Sequence, residues 1–276
     1  MIRQQTSYYI NPTLPNWLDL SLESLSSAGI AILEGIVDQG LCMAAAEAID
    51  RISADMSARY GRNILDERED LRFNRLLMKS DPLFFDFIAL NKPNQVIDRY
   101  LSPKAILRGQ ISQTILPYAE DSKDYFVFKF HQNFRHMNCT PRVDLDGFVF
   151  LNDVTEEDGL ISFIPGSHLW TEKPTPDELE QHATDLIIAK AGDYVFIDGM
   201  LWHKENYNRS GEIIRSVNHQ FVLPIVKESI DHSRALGEET MRGLPELLKQ
   251  RLGWYSRVPS SLDEYYRPLD DLLYRV

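Results

Sequence analysis

The hydrophobic period changes once along the chain, near residue 104, and that change limits the folds open to it. Before it, apolar residues recur at helical spacing, as at Leu41, Ala44, Ala45, Ala48, Ile49 and Ile52. After it they alternate every second residue until about 224, in short runs separated by turn residues. A segment with period two cannot bury a helical stripe, so the alternating runs within 104–224 are expected to form strands. Many short strands with helical sequence on either side imply a mainly β fold with flanking helices, an antiparallel double-sheet barrel. The expected organisation is one domain over 1–276: a helical buttress at 1–103, a barrel core at 104–224, and a helical and loop extension at 225–276.

In chain order, Ser21 to Ala28 predicts a short helix stopped by Gly29, and Ile30 to Leu33 a strand. Asp38 is placed to cap a helix over 39–60, and 81–101 predicts a further helical region. Strands are expected at 104–116, 126–133, 147–151, 160–164, 187–189, 194–197 and 213–223. The polar stretch 171–184, with two prolines, reads as an insert or lid.

In the 126–133 strand, Phe126, Phe128 and Phe130 share one face, and Val127, Lys129, His131 and Asn133 the other. The pleat therefore aims His131 and Asn133 at one centre. A second histidine, His203, follows 72 residues on. Along 213–223, Arg215 falls in the row Ile213, Arg215, Val217, His219, Phe221, a mostly apolar and hence inward face. A guanidinium buried there needs an anion.

Other features exclude function classes. The net charge of −12 argues against a nucleic-acid or anionic-membrane binder. No run approaches the roughly 18 uninterrupted apolar residues of a membrane helix, and no basic-then-apolar leader is evident. Cys42 and Cys139 lack metal-type spacing, so a reducing cytoplasm is the expected location. Oligomeric state is left as monomer or homodimer.

These motifs, in this order, resemble the phytanoyl-CoA dioxygenase family of Fe(II)/2-oxoglutarate oxygenases. The quoted features are Phe130-His131-Gln132-Asn133, Leu151-Asn152-Asp153, Pro165-Gly166-Ser167-His168, Gly192-Asp193, His203, Asn208-Arg209-Ser210 and Arg215. The resemblance covers roughly 105–225 and implies a double-stranded β-helix (jelly-roll, cupin-like) barrel. It also implies Fe(II) held by His131, His203 and the residue at 133, with 2-oxoglutarate and O2 as co-substrates and a small molecule as substrate. Asn133 stands where the family has aspartate. A neutral amide oxygen then replaces an anionic ligand. The amide can ligate, it can yield its place to water or an anion, or the site can be inactive; Asp144 or Asp146 is an alternative carboxylate. By the same resemblance Arg215 holds the far carboxylate of 2-oxoglutarate, with Thr114 and Lys129 as further contacts. Gln110, Arg135 and His136 are the implied substrate contacts. Hydroxylation of the substrate, a natural-product intermediate being one candidate, is the default expectation, with desaturation, epoxidation or ring chemistry as alternatives, and it is expected to accompany decarboxylation of 2-oxoglutarate to succinate. The competing expectations are a non-catalytic binding homologue and a cupin-like barrel using another metal.

Overall fold

The computed structural model describes residues 8–118, 129–133, 142–158 and 160–274. Its largest sheet has seven strands: β1 (Tyr9–Ile10), β2 (Ile30–Leu33), β3 (Phe73–Arg75), β4 (Ile106–Ile115), β5 (Asp144–Phe150), β8 (Tyr194–Asp198) and β10 (Ile214–Val222). They lie in the order β1-β2-β8-β5-β10-β4-β3, antiparallel except for the parallel β1–β2 pair. A smaller sheet carries β7 (Asp185–Leu186), β6 (Ile161–Phe163) and β9 (His203–Glu205), in the order β7-β6-β9. This is the expected barrel of two sheets.

The large sheet has two buried faces, and they set the chemistry available to each strand. Its outer face carries Leu145, Val149, Tyr194, Phe196, Val217 and Phe221 and packs on helices. Chief among them is α2 (Gln39–Tyr60), which presents Cys42, Ala45, Ala48, Ile49 and Ile52. Asp38 caps α2 by accepting the Leu41 N–H at 3.0 Å. The inner face carries Phe148, Phe150, Val195, Ile197 and Ile214 and meets Phe163 of the small sheet. The fully buried aromatic rings on both faces each contribute about 2–3 kcal/mol of burial free energy.

Differences from expectation are local. The helix predicted from Ser21 begins earlier, as α1 (Trp17–Ala28), and the 81–101 region forms two helices, Phe84–Ile88 and Asn91–Tyr100. The 171–184 insert holds a short helix, Pro176–Gln181, with a capping box from Thr175 and Glu178. Within the predicted 126–133 strand, residues 126–128 lie outside the described residues. The described remainder makes one β-bridge, at His131, rather than a ladder. The run at 187–189 contributes a single bridge, Ala189 to Val154, and the regular pairing falls just before it in β7.

A register shift in β4 matters most. Gln220 pairs with Gly109 and Phe221 with Leu107, which leaves Arg108 as an extra residue. The bulge reverses the facing of everything after it. Gln110, Ser112 and Thr114, a polar row that a polar-lined barrel can turn inward, stand on the outer, helix-packed face. Ile111, Gln113 and Ile115 turn inward.

Candidate functional site

His203 opens β9 and pairs with Phe163, so its ring stands on the inner side of the small sheet. His131 is joined to it by two backbone hydrogen bonds. The His131 N–H donates to the His203 carbonyl at 2.9 Å, and the His203 N–H to the His131 carbonyl at 3.1 Å. The ring centroids lie 4.5 Å apart. Each ring is also fixed by its own backbone: His131 Nδ1 lies 3.0 Å from the Lys129 carbonyl, and His203 Nδ1 lies 2.9 Å from the Leu201 carbonyl. A carbonyl only accepts, so both rings carry their proton on Nδ1 and a lone pair on Nε2. That tautomer is the one a metal-ligating histidine needs. The Gln132 amide donates to the Met200 carbonyl at 2.6 Å and sews the segment to the strand approach.

Asn133 donates its amide N–H to Oδ2 of Asp146. Asp146 and Asp144 stand on the inner face of β5, level with Gln220 and Val222 of β10, and each is 3% exposed. Burial drives both carboxyls upward. Asp144 rises to about 7, opposed by Arg108 and helped by Asp198. Asp146 rises well above the carboxylate range, through burial and then the Asp144 charge, and the Asn133 hydrogen bond opposes the rise. Gly199 packs directly against the Asp144 carboxylate, where a methyl group would collide with it.

Two residues beyond His203 on the same face is Glu205. Gln113 donates to both of its oxygens, each at 3.1 Å. Burial pushes its carboxyl up to about 7, and the Gln113 bond and the Arg72 charge oppose the rise. Arg72, Gln113, Ile115, Leu160, Glu205 and Asn206 line a small internal cavity of about 30 Å³.

The remaining expected site residues fall elsewhere. Arg215 is directed away from the two histidines, which corrects the inward reading of its face. It shares the outer face with Val217 and Phe221 and donates Nε and Nη2 to Asp50 of α2, both at 2.9 Å. The apolar row in which it stands is buried against helices, and sequence alone cannot tell that burial from a cavity. Thr114 pairs with Arg215 and shares its face. Gln110 pairs with His219 and donates to the Phe84 carbonyl at 2.9 Å, also on the helix side. The Lys129 side chain is exposed. Arg135 and His136 lie outside the described residues.

Several motif residues prove to be supports. Ser167 Oγ accepts the Trp202 N–H at 3.0 Å, one residue before His203. His168 Nε2 lies 3.2 Å from the Ser26 carbonyl. Asp193 accepts from Gly35 at 2.8 Å and Lys190 at 2.7 Å, and Asn208 shapes the turn into β10 through Ser210 and the Glu212 carbonyl.

The family model described as Phytanoyl-CoA dioxygenase (PhyH) matches residues 25–217. A Mycobacterium tuberculosis protein known only as uncharacterized is 35% identical over 268 residues, which cover 94% of both chains. The dioxygenase af480 of Aspergillus fumigatus is 33% identical over 106 residues, 37% of this chain and 33% of its own. Among solved structures, the epimerase SnoN in complex with Fe3+, alpha ketoglutarate and nogalamycin RO aligns with a TM-score of 0.60 at 16% identity, covering 81% of this chain and 93% of that one. EvdMO1 aligns at 0.59 and 18%, covering 74% and 50%. At such identities the likeness is one of fold.

Proposed function

The chain belongs to the phytanoyl-CoA dioxygenase family, and from that premise we propose that it is an Fe(II)/2-oxoglutarate-dependent oxygenase acting on a small molecule. The observation that carries the reading is the bridged pair His131 and His203, each with Nδ1–H held by a backbone carbonyl. These two rings present Nε2 as metal ligands, and Asn133 takes the third protein position. The Asn133 amide oxygen is the proposed third donor, in the position the family gives to an aspartate. When bound, the metal with 2-oxoglutarate and O2 supplies the oxidising chemistry, with succinate and carbon dioxide as co-products.

The chain's own residues orient and enclose. Ser167 and Gln132 hold the backbone on both sides of the histidine pair. With Arg215 engaged by Asp50, Arg72, whose charge acts on the buried Glu205, is the proposed cation for the far carboxylate of 2-oxoglutarate. The relatives named dioxygenases in Aspergillus fumigatus and Emericella variicolor, and the SnoN complex with nogalamycin RO, favour a natural-product intermediate as substrate. Among the described residues no helix is long and apolar enough to cross a membrane. A cytoplasmic protein, monomeric or homodimeric, with no nucleic-acid partner is the proposed setting.

A second reading has specific support: a barrel that binds ligands without turnover. Asn133 and the outward Arg215 both favour it. Anaerobic titration with Fe(II) and 2-oxoglutarate, followed by an oxygen pulse and a succinate assay, separates the two. A visible charge-transfer band with succinate supports the oxygenase. Metal binding without succinate, across a panel of candidate substrates, supports the binding homologue.

A further inference from the structure

The inference concerns Asp146 and rests on the metal reading above. Asp146 sits on the inner face of β5 with Oδ2 on the Asn133 amide. Its other oxygen, Oδ1, is buried and has no hydrogen-bond partner among the described residues. The nearest guanidinium, Arg108, is turned to Asp144, 4.0 Å from Asp144 Oδ2. Asp144 adds a second acid on the same face, two residues away. A buried carboxylate with one orphaned oxygen and an acidic neighbour is disfavoured unless a cation lies close by.

The amide supplies the direction. It has a donor end and an acceptor end, and a carboxylate can bond only to the donor. By taking the N–H end, Asp146 fixes which way the Asn133 carbonyl oxygen points, at the other end of the planar amide and away from the carboxylate.

We propose that Asp146 is the positioning residue of the metal centre: it turns the Asn133 carbonyl oxygen toward the metal and supplies, one residue removed, the negative charge that an asparagine lacks. The carboxylate of the site is thus displaced to β5. Asn133 and Asp146 together provide what a single aspartate at 133 would provide, an oxygen donor and one unit of charge.

The test is anaerobic titration with Co(II), read by its visible absorption, alongside the melting temperature of the metal-free protein. It compares the parent, Asp146→Asn, and the exchange Asn133→Asp with Asp146→Asn. Asp146→Asn is expected to weaken Co(II) binding about 10- to 100-fold, as loss of a ligand-orienting partner does. Its metal-free melting temperature should stay nearly level, because burial already holds the Asp146 carboxyl protonated before a metal arrives. The exchange returns the charge to position 133 and is expected to bind within a few-fold of the parent. Equal affinity in the parent and Asp146→Asn overturns the inference and leaves the metal reading standing. Loss in Asp146→Asn without recovery in the exchange reduces Asp146 to a structural part and also overturns it. A parent that binds no Co(II) overturns the metal reading, and this inference with it.

Discussion

Arg215 divides the two accounts of how the co-substrate is held, and its pairing with Asp50 makes the division measurable. The ion pair is bidentate, with both bonds at 2.9 Å, but Asp50 is 57% exposed while Arg215 is 17% exposed. A pair with one partner so open to water is screened, and its coupling should be about 0.5–1 kcal/mol despite good geometry. A double-mutant cycle over Asp50→Ala, Arg215→Ala and the double variant should return that coupling from urea midpoints. Arg215→Ala should cost about 1 kcal/mol more than Asp50→Ala, because the arginine stem packs beside Val217 on the sheet. At this chain length each kcal/mol shifts the melting temperature by about 2–4 °C. 2-Oxoglutarate affinity of the metal-loaded protein should stay within two- or three-fold in both single variants. If Arg215 were instead the carboxylate clamp, its removal would cost about 2–5 kcal/mol, at least about 30-fold in affinity. Asp50→Ala would then free the clamp and leave affinity unchanged or higher. A 30-fold loss in Arg215→Ala alone refutes the placement argued above, whereas the same loss in Arg72→Ala alone supports it.

Three further outcomes follow from buried groups. His219 is enclosed beside Tyr194 and Gln110, and burial lowers its pKa to about 3. The unfolded chain then takes up a proton near pH 6.5 that the folded chain refuses, so stability falls as pH drops from about 6.5 toward 3, by about 1.4 kcal/mol per unit. His219→Gln should flatten that limb relative to the parent by about 2 kcal/mol at pH 5, measured as urea midpoints at pH 7.5 and 5. An unchanged difference between the two pH values removes His219 as its cause. Gly192 has φ +88° and its α-carbon abuts the Val37 carbonyl, so Gly192→Ala adds both a left-handed penalty and a collision. A loss of about 3 kcal/mol or more is expected in chemical denaturation, and a loss under 1 kcal/mol would show that the β2–α2 corner yields freely. Ser167→Ala leaves the Trp202 N–H without its acceptor, next to His203. It should cost about 1–3 kcal/mol and weaken Co(II) binding several-fold; unaltered metal affinity would mean that the His203 backbone is held without it.

The barrel was legible because its signal is periodic. Alternation needs only the pleat, and strands predicted at 104–116, 147–151, 160–164, 194–197 and 213–223 lie within a few residues of β4, β5, β6, β8 and β10. The histidine pair was legible because its spacing and neighbouring motifs survive any small error in strand ends. Facing was much less so. Period two gives two faces but does not name them, and in this fold both faces of the large sheet are buried, one on helices and one on the small sheet. An apolar row containing Arg215 therefore reads the same whether it looks into the barrel or onto α2. The bulge at Arg108 adds a second ambiguity, since one extra residue moves Gln110 and Thr114 to the other side without altering the pattern around them. Asp146 was legible only as an alternative carboxylate, not as the partner of Asn133. Its importance comes from a partner 13 positions away, a separation that no short-range rule covers. In Asp144-Leu145-Asp146 the alternation puts two acids on one face, and sequence alone does not say whether that face is solvated or enclosed. Burial decides the meaning: enclosed on the inner face of β5, the two carboxyls keep their protons unless positive charge is brought in, and the bridged histidines, linked to Asp146 through Asn133, are the ligands able to bring it.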